Sequence, residues 1–429
     1  MAYNFRRSER NQRFLLPPDL CDWLPQGHLA WFIIDVVDQF DLAPFYQVHR
    51  PDGHGHPAYD PKVLLGVLLY GYATGVRSSR QIERRCHEDL AFRVLAGNQT
   101  PDHVTIARFR ARHEQALAGF LIASLRLCAA AGLVRLGVVA LDGTKVAANA
   151  ADRANRTLAK LQDEVTTILR EAAETDQAED RQDHPAWDDE LPPELANPSG
   201  RLARLQEAKA RLEAEAAERQ RRYQQRVAEL AAAARAKAKQ PRAHVKPRPR
   251  DEAPNPKAVA NVTDPDSRFL HTRNGTVQGY NAQAVVTEDQ VVVAASLTRQ
   301  ANDLQQLQPM LQAVDQTLRA ADINDRPQTL LADSGYWSIA NLTAIPGAPE
   351  LLVWPAKTGR TGKPRKDGKP SGSRSDDLRA AMLASLTSEA GRARYATRKQ
   401  TVEPVFGQLK EQQGARRFLR RGLAACDAE

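Results

Sequence analysis

Apolar residues recur at three- and four-residue intervals through much of the first 130 residues. This spacing places side chains on one face of an α-helix. One such segment begins at Asp60-Pro61, a combination that often starts helices. Its apolar residues are Val63, Leu64, Val67, Leu68 and Tyr70. The pattern predicts an all-α region over residues 1–130.

Two more helices are predicted in the same region. Ser78 and Gln81 have the spacing of a capping box, which would start a helix that ends at Gly97-Asn98. The residues 100–102, Thr-Pro-Asp, then open another helix. Short helices joined by tight turns favour a helix-turn-helix-like module.

The second of these helices has a basic face. Arg108 and Arg112 are four residues apart, whereas Ile106 and Phe109 can face inward. A helix that reads a DNA groove has this character, so we expect Arg108 and Arg112 to contact DNA. A helical bundle with a solvated basic face is the alternative interpretation.

The pattern changes at Gly137. The run VVALDGTKVAA that follows has the composition of a strand. Helical spacing returns after Leu158 and again from about Arg201, so residues 151–236 are predicted to form an antiparallel helical hairpin. Residues 237–256 are rich in proline and charge, which predicts a linker.

Short β-rich runs dominate from residue 257 onward. GYNAQAVVTED and QVVVAASLT predict a β-hairpin with its turn at residues 288–290. Helical and strand-like runs then alternate, with strands at QTLLAD and ELLVWPA. This order predicts an α/β fold with a mixed sheet, formed by residues 131–150 and 257–421 and interrupted by the helical hairpin.

The charge of the chain favours a polyanionic partner. The 429 residues carry a net charge of +8, and between Lys357 and Arg421 we count 17 Lys or Arg against 6 Asp or Glu. Four scattered cysteines fit a reducing cytosol better than a disulfide framework. The longest apolar runs are shorter than about 18 residues or are broken by Arg135. We therefore expect a cytoplasmic protein without membrane contact.

Three acidic residues occupy positions where a solvated carboxylate is unexpected. Asp142 follows the apolar run VVAL, Asp333 follows TLLA, and Glu403 lies in the apolar sequence TVEPVF. Charges are rare in buried strands unless they are paired or bind a cation, and α/β sheets place their sites at the carboxyl ends of strands. An aspartate that merely caps a turn is the alternative.

Clustered carboxylates suit phosphodiester chemistry. Three of them cannot stay ionised together without added positive charge. Two Mg²⁺ ions would relieve the repulsion, activate the attacking water or 3′-hydroxyl, and stabilise the leaving oxygen. We therefore interpret Asp142, Asp333 and Glu403 as a metal site.

Cations accompany Glu403 along the predicted helix. On a regular helix Lys399 and Lys410 lie within roughly 40° of Glu403, whereas Arg398 lies well off that face. Such cations would hold DNA phosphates beside the site. A run of surface ion pairs is the alternative.

The run YATRKQTVEPVFGQLKEQQGARRFLRRG resembles the C-terminal signature of DDE transposases from bacterial insertion sequences. The Tyr, Arg, catalytic Glu and Lys of that signature match Tyr395, Arg398, Glu403 and Lys410. The usual signature has three residues between Arg and Glu, whereas four follow Arg398 and Lys399 occupies the expected position. The phosphate-contacting role is therefore open between Arg398 and Lys399.

The resemblance extends over nearly the whole chain. VVALDGTKVAANA and LLADSGYWS are similar to the strands of the first and second catalytic aspartates, and NVTDPDSR and GYNAQAVV to the region of the second strand. The helical insert is similar to that of the subgroup named for insertion sequence eleven-eighty-two. Residues 59–113 resemble the N-terminal helical domain of the same enzymes.

The resemblance implies an RNase H-like mixed-sheet catalytic core with a helical insertion, preceded by an all-α DNA-binding domain. It also implies two bound Mg²⁺ or Mn²⁺ ions, and double-stranded DNA as substrate, both the terminal inverted repeats and the target. A homo-oligomer associated with the nucleoid would be the working form. Tyr395, Arg398, Lys399 and Lys410 would contact DNA.

Family members usually continue past RRFLRRG with another helix, whereas this chain ends at Glu429. A truncated or decayed transposase that binds end DNA without cutting is therefore the alternative function. Another nuclease of the RNase H-like class is a third interpretation.

Overall fold

The computed structural model describes residues 19–48, 58–179, 198–236, 258–272, 275–343, 347–355 and 374–429. The predicted linker, 237–256, lies outside the described residues. So do residues 180–197, within the predicted helical hairpin, and most of the glycine- and lysine-rich stretch that follows residue 356.

Helices make up the described part of the chain before residue 131, as the apolar spacing predicts. They are α1 (Leu29–Gln39), α2 (Ala43–Tyr46), α3 (Pro61–Ala73), α4 (Ser79–Glu88), α5 (Leu90–Leu95), α6 (His103–Arg112) and α7 (Glu114–Ala130). The predicted start of α3 is confirmed, because the Asp60 side chain accepts a hydrogen bond from the Lys62 amide at 2.9 Å. These helices share one apolar core that includes Leu65, Phe92 and Ile106.

Two predicted features of α4 are wrong. Ser78 precedes the helix, but its side chain makes no capping hydrogen bond. The helix also ends at Glu88 instead of continuing to Gly97, because Asp89 has extended backbone angles. The Asp89 carboxylate accepts hydrogen bonds from the amides of Ala91 and Phe92 at 2.9 and 3.3 Å and so starts α5.

Eight strands follow in the described residues. They are β1 (Val138–Ala147), β2 (Asn155–Thr157), β3 (Val259–Asn261), β4 (Arg268–Thr272), β5 (Gly275–Thr287), β6 (Val292–Thr298), β7 (Thr329–Ala332) and β8 (Glu350–Val353). The remaining helices are α8 (Leu158–Glu179), α9 (Pro198–Ala236), α10 (Leu307–Ala320), α11 (Ile339–Thr343), α12 (Arg374–Thr387), α13 (Glu389–Gly407) and α14 (Leu423–Asp427).

Six strands form one mixed sheet in the order β4-β5-β1-β7-β8, with β6 also paired to β5. The long strand β5 is antiparallel to β1, β4 and β6, whereas β7 is parallel to β1 and β8. The predicted mixed sheet and the predicted β5–β6 hairpin are therefore confirmed. The hairpin turn places Gln290 in the left-handed region, with φ of 62°.

Helices cover both faces of the sheet. On one face Val139 and Leu141 of β1 pack against α10, whose residues Leu307, Met310, Val314 and Leu318 are buried. On the other face Ala140 packs against Leu386 of α12 and Val402 of α13. Because both faces are buried, the central strands are nearly continuous apolar runs, and a charge among them needs a specific partner.

The two predicted helices of the insertion are present as α8 and α9. They pack through Leu161, Leu205, Ala208 and Leu212, and the second begins at Pro198 rather than near Arg201. The short strands β2 and β3 pair where the chain leaves and re-enters the larger sheet. The pair of strands and the pair of helices thus form one unit beside the sheet.

The C-terminal segment joins the sheet to the N-terminal helices. Arg77 donates to the carbonyl oxygens of Gly414 and Arg417 at 3.0 and 2.9 Å and pairs with Glu429. A short helix, α14, follows RRFLRRG. In the described part of the chain, no helix has both the length and the apolar character needed to cross a bilayer.

Candidate active site

The two strand aspartates lie in neighbouring parallel strands. In the pairing of β1 with β7, Leu141 is opposite Ala332. The residues that follow, Asp142 and Asp333, therefore leave the paired region side by side. Paired strands are about 4.8 Å apart, so the register brings together two carboxylates that are remote in the sequence.

Asp142 is a largely buried carboxylate with two donors. Its Oδ1 accepts a hydrogen bond from the Gly143 amide at 2.8 Å, and its Oδ2 accepts one from Arg398 at 3.0 Å. Burial raises the pKa of Asp142 above its usual value; the two donors lower it and Asp333 raises it. Since the net shift is upward, the negative charge is incompletely compensated, and a further cation would stabilise it.

Asp333 directly follows β7 and starts a short 3₁₀ turn over Ser334–Tyr336. Its Oδ1 accepts a hydrogen bond from the Gly335 amide at 2.8 Å. One oxygen of this carboxylate therefore does cap a turn, as the alternative interpretation expected. Among the described residues, Oδ2 receives no hydrogen bond, and it remains available to a ligand.

Arg398 connects Asp142 to Glu403. Its guanidinium, which donates to Asp142, also lies 3.9 Å from Glu403 Oε1. Arg398 is only 9% exposed, whereas the Glu403 side chain is 55% exposed. The described residues contain no group of three or more His, Cys, Asp or Glu side chains that could hold a metal ion. Glu403 is thus linked to Asp142 through the Arg398 guanidinium and not directly.

The structure distinguishes the two adjacent basic residues of the signature. Lys399 is exposed, whereas Arg398 is buried and reaches both acids. The helical-wheel argument expected the reverse, with Lys399 on the face of Glu403. A wheel treats side chains as radial, but long side chains also lie along the helix axis, so angular position alone does not determine their contacts.

Hydrogen bonds from Tyr395 and Lys410 attach α13 and the turn after it to β7 and β1. The Tyr395 hydroxyl donates to the Ala332 carbonyl at 3.1 Å, and burial raises its pKa. Lys410 lies in the π-helical turn after α13, and its Nζ donates to Thr144 Oγ1 and the Lys145 carbonyl at 2.5 and 2.9 Å. These bonds on either side of Glu403 hold that part of the helix over β7 and β1.

A fourth carboxylate, Asp303, lies beside the strand aspartates and was missed by sequence analysis. Its Oδ1 accepts hydrogen bonds from Asn281 Nδ2 and Gln283 Nε2 at 2.7 and 2.8 Å. Lys145 Nζ is 3.6 Å from the same oxygen. The pKa of Lys145 is lowered overall, because the effect of burial exceeds the opposite effect of Asp303 and the two strand aspartates. The available signal was the pair of polar residues Asn281 and Gln283 at alternate positions in the run YNAQAVV.

The predicted DNA-contacting arginines are on the open side of α6. Arg108 and Arg112 are exposed, whereas Ile106 and Phe109 are buried, as the helical pattern predicts. Arg110, between the two exposed arginines, instead bonds to residues of the preceding helices. The basic face is therefore accessible, and its contact with DNA stays a prediction.

Two protein-family models match the chain. Residues 18–112, from before α1 to the end of α6, match the transposase domain DUF772. Residues 365–429, which contain Tyr395, Arg398, Glu403 and Lys410, match a transposase DDE domain. No curated protein and no solved structure matches the chain. Both ends of the chain are therefore similar to transposase domains.

Proposed function

We propose that the protein binds the ends of an insertion sequence, cleaves DNA and catalyses strand transfer by two-metal-ion phosphodiester chemistry. Asp142, Asp333 and Glu403 are the proposed catalytic and metal-binding residues. The observation that carries the proposal is the register of β1 and β7, which brings Asp142 and Asp333 together beneath the helix of Glu403. The two transposase-domain matches support the same activity.

The strand order supports an RNase H-like core. A single antiparallel strand, β5, lies between β6 and the parallel strands β1, β7 and β8. The sequence resemblance of the helical insert is what supports the subgroup named for insertion sequence eleven-eighty-two. In this proposal residues 131–150 and 257–421 form the catalytic core and residues 1–130 the DNA-binding domain. Residues 151–236 are the inserted helical hairpin, and residues 237–256 are the linker.

The donor atoms of the site fit Mg²⁺ or Mn²⁺. Carboxylate oxygens are the ligands that these hard cations prefer. The space between Asp142 and Glu403 already accepts positive charge, since the Arg398 guanidinium contacts both. When bound there, the ions would lower the pKa of an attacking water or 3′-hydroxyl and stabilise the leaving oxygen.

The protein's own cations have separate proposed roles. Arg398 lies between Asp142 and Glu403 and would orient a DNA phosphate. The exposed Lys399 and Lys410, which lies beside Thr144, would bind neighbouring phosphates of the DNA backbone. Tyr395 would hold the helix against β7. Arg108 and Arg112 would contact the terminal inverted repeats. Double-stranded end and target DNA are the proposed partners of a homo-oligomer that acts on the nucleoid in the cytoplasm.

The decisive experiment combines a mobility shift with a nicking assay on one DNA fragment that carries an inverted repeat flanking the gene. Asp142→Asn should bind this fragment as the wild-type protein does but should not nick it in Mg²⁺, because a charged ligand is lost. Asp289→Asn, the same change in the β5–β6 turn, is the matched control and should nick normally.

Two results would decide against the proposal. Nicking by Asp142→Asn at the wild-type rate would show that the catalytic assignment is wrong. If the wild-type protein binds the fragment but nicks it with neither Mg²⁺ nor Mn²⁺, the alternative function, end binding without cutting, is correct.

A further inference from the structure

The Asp303 cluster, which comprises Asp303, Asn281 and Gln283, lies against the backbone next to Asp142. A Cβ atom on Gly143 would be 2.3 Å from Gln283 Nε2, 2.8 Å from Asp303 Oδ1 and 3.0 Å from Asn281 Oδ1. Any side chain at residue 143 would therefore displace the cluster. Glycine allows the three polar groups to contact β1 at the residue that follows the catalytic aspartate.

The same carboxylate reaches the turn after Asp333. A Cβ atom on Gly335 would be 2.9 Å from Asp333 Oδ1 and 3.4 Å from Asp303 Oδ2. Gln283 adds a second connection, because its Nε2 donates to Asp303 while its Oε1 accepts a hydrogen bond from the Tyr336 hydroxyl. Asp303 is thus connected to the strand of Asp142 on one side and to the turn of Asp333 on the other.

Buried amides hold the segment that carries Asp303. Asn341 Nδ2 donates to the carbonyl oxygens of Leu304 and Tyr336 at 2.8 and 2.7 Å. Asn281, Gln283 and Tyr336 are each at most 1% exposed. In a buried network of this kind, displacing one group breaks several hydrogen bonds that water cannot replace, which costs free energy. The network therefore resists changes in the separation of the two strand ends.

We infer that Asp303 is a positioning residue that fixes Asp142 relative to Asp333 and thereby sets the affinity of the site for divalent cations. The inference rests on the proposed function for the identity of the metal site. Asp303 acts through Asn281 and Gln283, which both donate to its Oδ1. Groups that orient metal ligands in this way typically change metal affinity about 10- to 100-fold when they are removed.

The test measures Mn²⁺ binding to the full chain without DNA, from the electron paramagnetic resonance signal of free Mn²⁺, with the thermal midpoint recorded in parallel. Asp303→Ala removes the acceptor and should weaken Mn²⁺ binding about tenfold. Asp303→Asn keeps an oxygen that can accept from both amides. The Mn²⁺ affinity of Asp303→Asn should therefore stay within about threefold of the wild-type value, a smaller change than the loss of an orienting group causes.

A second variant keeps the test informative if Asp303→Ala does not fold. Tyr336→Phe removes only the hydroxyl that bonds to Gln283, and it should weaken Mn²⁺ binding in the same direction at an unchanged ring volume. The inference is wrong if Asp303→Asn loses as much affinity as Asp303→Ala, because charge and not positioning would then be responsible. It is also wrong if Asp303→Ala binds Mn²⁺ like the wild-type protein or, where Asp303→Ala does not fold, if Tyr336→Phe does.

Failure of the proposed function has a different signature. In that case Asp142→Asn, which removes a proposed ligand, would bind Mn²⁺ as tightly as the wild-type protein. A loss of affinity in Asp142→Asn without any loss in Asp303→Ala would leave the metal site intact as a proposal and overturn only the role of Asp303.

Discussion

The Arg398 guanidinium donates a hydrogen bond of 3.0 Å to Asp142 Oδ2 across the boundary between α13 and β1. The two side chains are only 11% and 20% exposed. A charge-assisted bond with so little access to water is stronger than a surface ion pair. The bond couples the packing of α13, which carries Glu403, to the charge of the aspartate on β1.

Loss of Arg398 should destabilise the metal-free protein, because Asp142 would remain buried without its cation. For Arg398→Ala we expect a decrease of about 1–3 kcal/mol in the free energy of unfolding, less than for a fully buried pair since some water reaches both groups. Lys399→Ala, at the adjacent exposed position, should change it by less than about 0.5 kcal/mol. Urea unfolding at pH 7 measures both, and equal losses would contradict the assignment of Arg398 as the buried partner.

Replacement of both exposed arginines of α6 should weaken DNA binding without unfolding the helix. For Arg108→Ala combined with Arg112→Ala, the dependence of the binding constant on salt should become shallower by about one unit for each DNA phosphate that the variant no longer neutralises. Mobility shifts at several salt concentrations measure this slope. An unchanged slope would exclude these arginines from the DNA interface.

Arg110→Ala is the control for that double variant, because Arg110 lies on the same helix but bonds within the protein. Arg110 donates to the Tyr72 hydroxyl and to Ser79 Oγ at 3.1 and 2.5 Å. Its removal should lower the thermal midpoint more than the double variant does, because it leaves part-buried acceptors between α3, α4 and α6 without a donor.

Gly279 is required for the close approach of β5 to β1. A Cβ atom there would be 2.0 Å from the Val146 carbonyl oxygen, so Gly279→Ala should cost about 1–3 kcal/mol or more, as overpacking does. Gly119 in α7 has no atom within 4 Å of the corresponding position. Gly119→Ala should therefore stabilise the helix, by up to about 1 kcal/mol. Denaturant unfolding of the two variants should give shifts of opposite sign; stabilisation by Gly279→Ala would contradict the close strand pairing.

Asp427 should make the stability of the C-terminal segment depend on pH. Burial raises the pKa of Asp427 above its usual value of 3.8, although the Leu297 amide donates to it. A raised folded pKa means that the contribution to stability is full below 3.8 and is lost as the pH rises through the folded value. Asp427→Asn keeps the acceptor for Leu297 but cannot ionise. The wild-type protein should therefore lose stability relative to Asp427→Asn as the pH rises above 3.8. Thermal midpoints that differ by a constant amount across this range would contradict the shift.

Local signals in the sequence were sufficient for most helices and strands. The Asp60-Pro61 start, the inward side of α6 and the β5–β6 hairpin depend on residues that are close together in the chain. Helix α4 differs because one side chain, Asp89, uses its carboxylate to begin a new helix within a continuous apolar pattern. Periodicity cannot detect such an interruption, since the apolar positions on both sides of it are buried in the same core.

The sequence by itself determined the types of residue that can form a metal site, because aspartates among apolar strand residues and a glutamate in an apolar helix are costly without a cation. Tertiary structure alone decided which charges meet. The β1–β7 register places Asp142 beside Asp333, and the packing of α13 directs Arg398 rather than Lys399 to Asp142 and Glu403. Asp303 joins them because β5 supplies its two amides. Such interactions depend on strand order and helix packing, which bring together residues far apart in the chain and leave no periodic signal along it.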